Sequence, residues 1–169
     1  LEAIVTKVHT PSPNRIEPIE PDSYISTSPW QIMTLESENI AKQTILSEAF
    51  EKKKIKKVTW KPFTADLSKS GLNYRNKQEF GFWGDDLGIH TAHFVRGSHS
   101  KQIVTSSALA NEKINAIIPE FVKSINDFAK KQADFIAGDL KTATFRCSET
   151  GEVVMALFVK KKYEFSTFV

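Results

Sequence analysis

The sequence predicts an α+β domain: hairpins build an antiparallel sheet, two or three helices pack on it, and an extended proline-rich linker precedes it. Three observations carry this prediction. Segments of alternating polarity come in pairs separated by short turns, as in hairpins. Apolar residues at steps of three and four mark helices outside those pairs. Strands joined mainly by hairpins, with helices inserted, are typical of the α+β class.

Length and composition limit the class of protein. The 169 residues fit one domain, or one domain plus a linker. A hydrophobic fraction of 40% excludes a disordered chain, and the single Cys excludes a disulfide framework, so we expect a cytoplasmic protein. No apolar run approaches the about 20 residues of a membrane span, so we expect no membrane partner. The net charge of +3 hints at an anionic partner. Apolar stretches at both ends suggest a piece of a longer protein.

The first elements follow from prolines and capping residues. Residues 10–29 hold most of the seven prolines and predict an extended linker. Thr34 then offers an N-cap oxygen to a helix that ends in the lysine run 52–57. The run is either a solvated helix end that suits the helix dipole or a phosphate contact. The apolar positions of this helix are Ile40, Ala41, Ile45, Leu46, Ala49 and Phe50.

The middle of the chain predicts a hairpin and its flanking strands. Residues 58–60 are a short strand candidate, and residues 66–73 form a turn-rich loop. Residues 74–82 alternate as a strand, and residues 87–95 return as the second arm of a hairpin. Ile103 and Val104 mark a third strand.

The C-terminal half predicts a long helix and a closing hairpin. Apolar residues at helical spacing run from Ile114 to Ala129, and Pro119 should kink this helix or begin a second one. Residues 143–147 and 153–159 then form two strands around a turn.

Few residues suggest catalysis or metal binding. His90 and His93 would point to opposite faces of a strand, so they cannot clamp one ion. Cys147 lies within a predicted strand, where a buried, inert thiol is typical. The sequence has no glycine-rich phosphate loop and no persuasive Ser–His–Asp order. We therefore expect no catalytic residue, no bound cofactor and no metal site in this chain.

Cations and rings alternate along the predicted hairpin. Arg75 and Lys77 are interleaved with Tyr74 and Phe80, and Arg96 and Lys101 extend the basic character beyond the hairpin. Nucleic-acid surfaces use this combination, because rings stack on bases while Arg and Lys hold phosphates. The alternative is a hairpin whose rings are core and whose cations are solvated. The pattern by itself leaves both open.

One stretch of the hairpin resembles a known family. Residues 73–82 read Asn-Tyr-Arg-Asn-Lys-Gln-Glu-Phe-Gly-Phe. They resemble the Tyr-Arg-x-Lys/Arg-x-Glu-Phe signature in the central domain of RNA uracil-5-methyltransferases, which make 5-methyluridine in tRNA and rRNA with S-adenosylmethionine. Residues 87–90 look like the family's Leu-Gly-Phe-His segment, and residues 151–154 look like its closing hairpin.

The resemblance implies a division of the chain and of the chemistry. Residues 1–33 would be the end of an N-terminal TRAM-like domain and the linker, and residues 34–169 the central RNA-contacting domain. Residues 24–28 stand where many members have cluster cysteines, which implies the branch without an iron–sulfur cluster. The S-adenosylmethionine-binding catalytic domain would follow outside this chain, so the chain would not be catalytic by itself.

The expected function is therefore RNA binding for a methyltransferase of rRNA or tRNA, with no DNA partner. The alternative is a non-catalytic RNA-binding or protein-interaction module. The candidate RNA-binding residues are Tyr74, Arg75, Lys77, Phe80, His90, Arg96 and Lys101.

Overall fold

The computed structural model describes residues 5, 7–61, 64 and 71–165. Its helices are α1 (Tyr24–Thr27), α2 (Leu35–Lys52) and α3 (Glu112–Lys131). Its strands are β1 (Lys77–Asp85), β2 (Gly88–Phe94), β3 (Lys101–Ile103), β4 (Leu140–Cys147) and β5 (Val153–Val159). The predicted α+β fold is confirmed.

The strands form one antiparallel sheet in the order β3-β2-β1-β4-β5. The central strand β1 pairs with β4 over Lys77–Phe80 and with β2 from Gly81 onward. Because cross-strand partners share a face, this register divides the sheet into two faces. The core face carries the buried rings Phe80, Phe82 and Phe145. The opposite face, called the open face below, carries Lys77, Glu79, Trp83, His90, Phe94, Lys101, Ile103, Thr144, Arg146, Val154 and Phe158.

Helix α3 covers the core face. Asn111 caps it by accepting a hydrogen bond from the Lys113 amide. One apolar stripe of the helix is buried, and its Phe121 ring lies 5.3 Å from the Phe145 ring and 6.1 Å from the Phe82 ring. Pro119 is exposed and does not divide the helix, which continues to Lys131.

One side chain holds α3 to the edge of the β1–β2 hairpin. The Asn126 side chain accepts a hydrogen bond from Ile89 N and donates one to Ile89 O, both at 2.8 Å. Its amide also donates to Val122 O within the helix. Because a buried backbone group without a partner costs about 1–3 kcal/mol, these bonds set how the helix sits on β2.

Helix α2 forms where the sequence predicts it but does not join the core. The Thr34 hydroxyl accepts a hydrogen bond from Ser37 N at 3.2 Å, and the helix ends at Lys52 within the lysine run. None of its residues is buried, and Ile40 is 61% exposed. The apolar positions of α2 are thus at the surface of the described residues.

The observed elements differ from the prediction in several places: the short helix α1 lies within the segment 10–29 that is predicted as extended, and β4 begins at Leu140 rather than at residue 143. Residues 58–60 are not a strand, because they find no sheet edge and take irregular structure beside the Phe50 ring of α2. Strand β1 begins at Lys77 rather than at residue 74, since the preceding backbone pairs with the loop before α3 instead. Of the predicted loop 66–73, only residues 71–73 lie within the described residues.

The proline-rich segment is tied to the domain by Glu20. Its carboxylate accepts hydrogen bonds from Ala108 N at 2.9 Å, from Gln31 Nε2 at 2.8 Å and from Thr27 Oγ1 at 3.2 Å. A charge-assisted network of this kind holds a segment that has few buried apolar contacts. As a result α1 lies against β2 at the end of the sheet.

Candidate nucleic-acid interface

Backbone pairing places Tyr74 and Arg75 in front of β1. Arg75 N donates to Leu109 O and Arg75 O accepts from Asn111 N, both at 2.8 Å. The Arg75 guanidinium carbon lies 6.0 Å from the centre of the Tyr74 ring, within range of a cation–π contact. Tyr74 and Arg75 therefore lie on a segment whose path is set by its backbone hydrogen bonds to the loop before α3.

Arg75 and Lys77 line one polar pocket, which has a volume of about 290 Å³. The pocket lies where the start of β1 meets α1. The other lining residues are Ser26, Thr27, Gln78, Glu79 and His93. The two cations outnumber the one carboxylate of the lining, Glu79, so the opening suits an anionic or strongly polar ligand.

Two inner side chains of this polar pocket keep unpaired polar atoms. Gln78 is 7% exposed, and its Oε1 has no hydrogen-bond partner among the described residues. The same holds for Nε2 of His93, whose ring stacks on Phe80 with centres 5.1 Å apart. Burial lowers the pKa of His93 and nearby Arg75 acts in the same direction, whereas the Glu20 carboxylate opposes them. Burial therefore favours the neutral form of His93.

Lys77 also belongs to the open face, where it lies directly opposite Arg146 of β4. Like charges in opposed positions of a sheet repel each other. Among the described residues neither cation forms an ion pair. The nearby Glu79 carboxylate instead accepts a hydrogen bond from Thr144 Oγ1 at 3.1 Å.

Phe80 is not part of the interface. Its side chain is 0% exposed and packs between Phe145 and His93 on the core face. The prediction of Phe80 as an RNA-binding residue is wrong for direct contact, because strand alternation turns this ring away from solvent. The packing role, which the hairpin pattern also allowed, is the one that the structure shows.

His90 is held by the turn of the β1–β2 hairpin. Its Nε2 lies 2.9 Å from Asp85 Oδ1, and the same oxygen accepts a hydrogen bond from Leu87 N. The hydrogen bond with His90 and then that with Leu87 lower the pKa of Asp85. His90 lies opposite Trp83 on the open face, on the other face from His93, as predicted.

Lys101 reaches across the open face. From β3 its Nζ donates to Phe82 O of β1 at 2.7 Å, so its side chain crosses the intervening strand β2. The same Nζ atom lies 5.1 Å from the centre of the Phe94 ring, within range of a cation–π contact. This cation is thus fixed near the middle of the face.

Arg96 lies on the loop between β2 and β3. Its backbone N–H donates to Ser26 Oγ at 3.0 Å, and its side chain is exposed. The loop therefore stands beside α1, one wall of the polar pocket.

Tyr74 contacts the Arg75 guanidinium but lines a different pocket from the polar one. It lines an apolar groove of about 450 Å³ together with Trp30, Met33, Leu35 and Leu109. The candidate residues are therefore divided: Arg75 and Lys77 share the polar pocket, His90 and Lys101 lie on the open face, and Tyr74 is in the groove.

The candidate residues chosen from the sequence do not include three residues of this region. Trp83 and Phe94 are 46% and 58% exposed on the open face, and Arg146 lies opposite Lys77. The alternation of β1 already placed Trp83 on the face of Lys77, so that residue could have been selected. Arg146 carries no such signal, because its position depends on pairing with a distant strand.

The remaining sequence predictions concern Cys147, metal ligands and membrane spans. Cys147 is buried and free, as predicted. No three His, Cys, Asp or Glu side chains in residues 5, 7–61, 64 and 71–165 are grouped so that they could hold a metal ion. In the same residues no helix has the length and apolarity to cross a membrane.

No protein-family model and no curated protein matches this chain.

Proposed function

We propose that this chain is the central RNA-binding domain of an S-adenosylmethionine-dependent RNA uracil-5-methyltransferase, acting on tRNA or rRNA. The observation that carries the proposal is the polar pocket, where two cations of the signature-like segment, Arg75 and Lys77, converge. Their neighbour Ser26 adds a hydroxyl group that suits phosphate and sugar oxygens, whereas the Thr27 hydroxyl donates to Glu20.

In this proposal the domain grips and orients the RNA, and the chemistry takes place elsewhere in the parent protein. Methylation at C5 of uridine requires a thiolate that adds to C6 and a base that removes the C5 proton. Cys147, the single cysteine, is 6% exposed and so cannot serve as that nucleophile. S-adenosylmethionine would bind outside this chain, and the protein would act in the cytoplasm without an iron–sulfur cluster.

The test is direct binding of tRNA and rRNA fragments to the chain at low salt, measured by fluorescence anisotropy. We expect an Arg75→Ala/Lys77→Ala double variant to bind more weakly, because each cation that neutralises a phosphate adds to the affinity. The log–log slope of affinity against salt should also fall. A Lys130→Ala/Lys131→Ala variant at the end of α3 is the control, because it removes the same amount of charge from the helix layer.

Two results would count against the proposal. One is affinity that is undetectable at low salt, and the other is equal affinity in the wild type and the Arg75→Ala/Lys77→Ala variant. A methyl-transfer assay with S-adenosylmethionine and uridine-containing RNA adds a third check. Methylation by this chain alone would show that it is a self-contained enzyme instead.

A protein-interaction module is the second candidate, and helix α2 favours it. Ile45 and Leu46 are 56% and 47% exposed, although apolar side chains of a helix usually find a partner. An Ile45→Lys/Leu46→Lys variant would then lose a protein partner in co-purification and keep its RNA affinity. Loss of RNA affinity in this variant would instead assign α2 to the RNA-binding surface.

A further inference from the structure

We infer that single-stranded RNA lies across the open face of the sheet, with bases stacked on Trp83 and Phe94 and a phosphate held between Lys77 and Arg146. The inference rests on the proposed RNA-binding function and extends it from the polar pocket to a second surface. The two surfaces meet at Lys77, which lines the polar pocket and belongs to the open face.

The two rings are exposed and suitably spaced. Gly81 of β1 and Ala92 of β2 are cross-strand partners. Trp83 lies two residues after Gly81 on β1, and Phe94 lies two residues after Ala92 on β2. Because the strands are antiparallel, the rings lie on opposite sides of this pair. At about 3.3 Å per residue they are about 13 Å apart along the strands. Sheet-based RNA-binding domains stack two or three bases on aromatic side chains of such a face.

A cation lies between the rings. Lys101 Nζ is fixed by Phe82 O and by the Phe94 ring, and its stem passes over β2, where Ala92 is 1% exposed. An ammonium group held near the centre of the face can contact a phosphate or base oxygen while bases occupy the rings on either side. The ring of His90 adds a polar group next to Trp83.

The opposed cations supply the charge complementarity. Lys77 and Arg146 repel each other, and no described carboxylate lies within ion-pair distance of either. An anion that binds between them removes this repulsion, so a phosphate gains affinity there. Of the two acidic side chains of the face, Asp85 bonds with His90, and Glu79 keeps its charge while accepting a hydrogen bond from Thr144. The cations Lys77, Arg146 and Lys101 outnumber them.

The shape of the surface favours a single strand over a duplex. Trp83 and Phe94 stand on strands and can accept only bases whose faces are free, whereas paired bases keep their faces stacked on one another. A duplex could reach the cations but not the rings. The open face should therefore discriminate by strandedness, with little dependence on sequence.

The experiment compares a 12-nucleotide oligouridylate with an RNA duplex of the same length, by fluorescence anisotropy at low salt. A Trp83→Ala/Phe94→Ala variant should bind the single strand at least about 30-fold more weakly, since each of the two stacked bases contributes about 5-fold or more. Trp83→Phe should retain most of the affinity because it keeps a ring. Arg146→Ala should lower the log–log salt slope by about 0.7, the value for one phosphate on a single strand.

Controls separate this surface from general effects. Trp60→Ala removes a tryptophan that is 39% exposed beside α2 and outside the sheet, and it should bind as the wild type does. Unfolding curves of every variant establish that the fold is retained. The exposed Phe94 and Trp83 make no core contact, so their loss should not unfold the sheet.

The outcomes distinguish the inference from the proposed function. If the wild type binds RNA and Arg75→Ala weakens binding while Trp83→Ala/Phe94→Ala does not, the RNA lies elsewhere and the open face belongs to another partner. Equal affinity for duplex and single strand would overturn the inference in the same way. If the wild type binds neither probe nor tRNA and rRNA fragments, the proposed function and the inference both fail.

Discussion

Lys77 at the start of β1 lies directly opposite Arg146 at the end of β4, on the face of the sheet that no buried side chain of α3 occupies. Pairing of these strands brings together cations that are far apart in the chain. The arrangement costs stability in the free protein and favours an anionic ligand. It links the polar pocket to the open face.

Arg146→Glu should therefore stabilise the free protein and weaken RNA binding. The substitution replaces a repulsive cross-strand pair with an attractive one, and we expect unfolding in urea to cost about 0.5 kcal/mol more. RNA affinity should fall because a carboxylate repels the phosphate. Arg146→Gln is the control, with a smaller gain in stability. If Arg146→Glu lowers stability, the two cations do not repel each other as inferred.

Phe80→Leu should lower stability and leave RNA affinity unchanged. The ring is fully buried against Phe145 and His93, so a smaller side chain leaves unfilled volume at a cost of about 1–2 kcal/mol. Phe145→Leu serves as a matched control because that ring is equally buried. Urea unfolding and RNA anisotropy measure the two quantities. Weaker RNA binding by Phe80→Leu than by Phe145→Leu would restore Phe80 to the interface.

His93→Phe should make the protein less sensitive to mild acid. Burial lowers the pKa of His93 below 6.5, so the unfolded chain takes up its proton more readily than the folded one. The stability linked to this group is complete above pH 6.5 and is lost as pH falls through the folded pKa. Urea unfolding at intervals below pH 6.5 should show a shallower decline in His93→Phe. The exposed His99→Gln variant should decline as the wild type does.

Tyr163→Phe should shift acid unfolding to higher pH. The Tyr163 hydroxyl donates to Asp139 Oδ2 at 2.7 Å, and this bond, followed by Lys161, lowers the pKa of Asp139. A carboxyl with a lowered pKa stabilises the fold above its unfolded pKa, and that stability is lost as pH falls through the lower, folded value. Without the hydroxyl the folded pKa of Asp139 lies nearer to its usual value of 3.8, so less stability remains to resist acid and unfolding occurs at higher pH.

The dependence of stability on pH above pH 10 gives a second check of the same bond. The same bond raises the pKa of Tyr163 to about 12, so its contribution should be complete below pH 10 and lost as pH approaches 12. Unfolding followed by circular dichroism across both limbs measures the two effects, with Tyr24→Phe as control. An unchanged acid midpoint in Tyr163→Phe would show that this bond does not hold the carboxylate.

Several elements can be predicted from the local sequence pattern, because the alternation of a strand and the apolar spacing of a helix depend on residues that are close in the chain. The alternation from Gln78 to Trp83 predicts which side chains share a face of β1, and the structure agrees. The apolar spacing after Ile114 predicts α3, and burial of that stripe is what stabilises it. The same pattern left Phe80 open as a stacking or packing group, because alternation does not say which face is covered.

The candidate site could be predicted only in part. Arg75 and Lys77 were selectable because they lie two residues apart on one segment. Ser26 and His93, which complete the polar pocket, come from distant segments that Glu20 and the hairpin bring together. Helix α2 was predicted from capping and spacing, but its exposure depends on contacts that no local rule includes.

By itself the sequence determined the helices α2 and α3 and the hairpin strands, since propensity, capping and periodicity act within a few residues. Only the tertiary structure decided that Lys77 faces Arg146, that Lys101 crosses β2, and that Trp83 and Phe94 share an uncovered face. Those relationships depend on strand register and on which face α3 covers. Both are set by the packing of residues far apart in the chain.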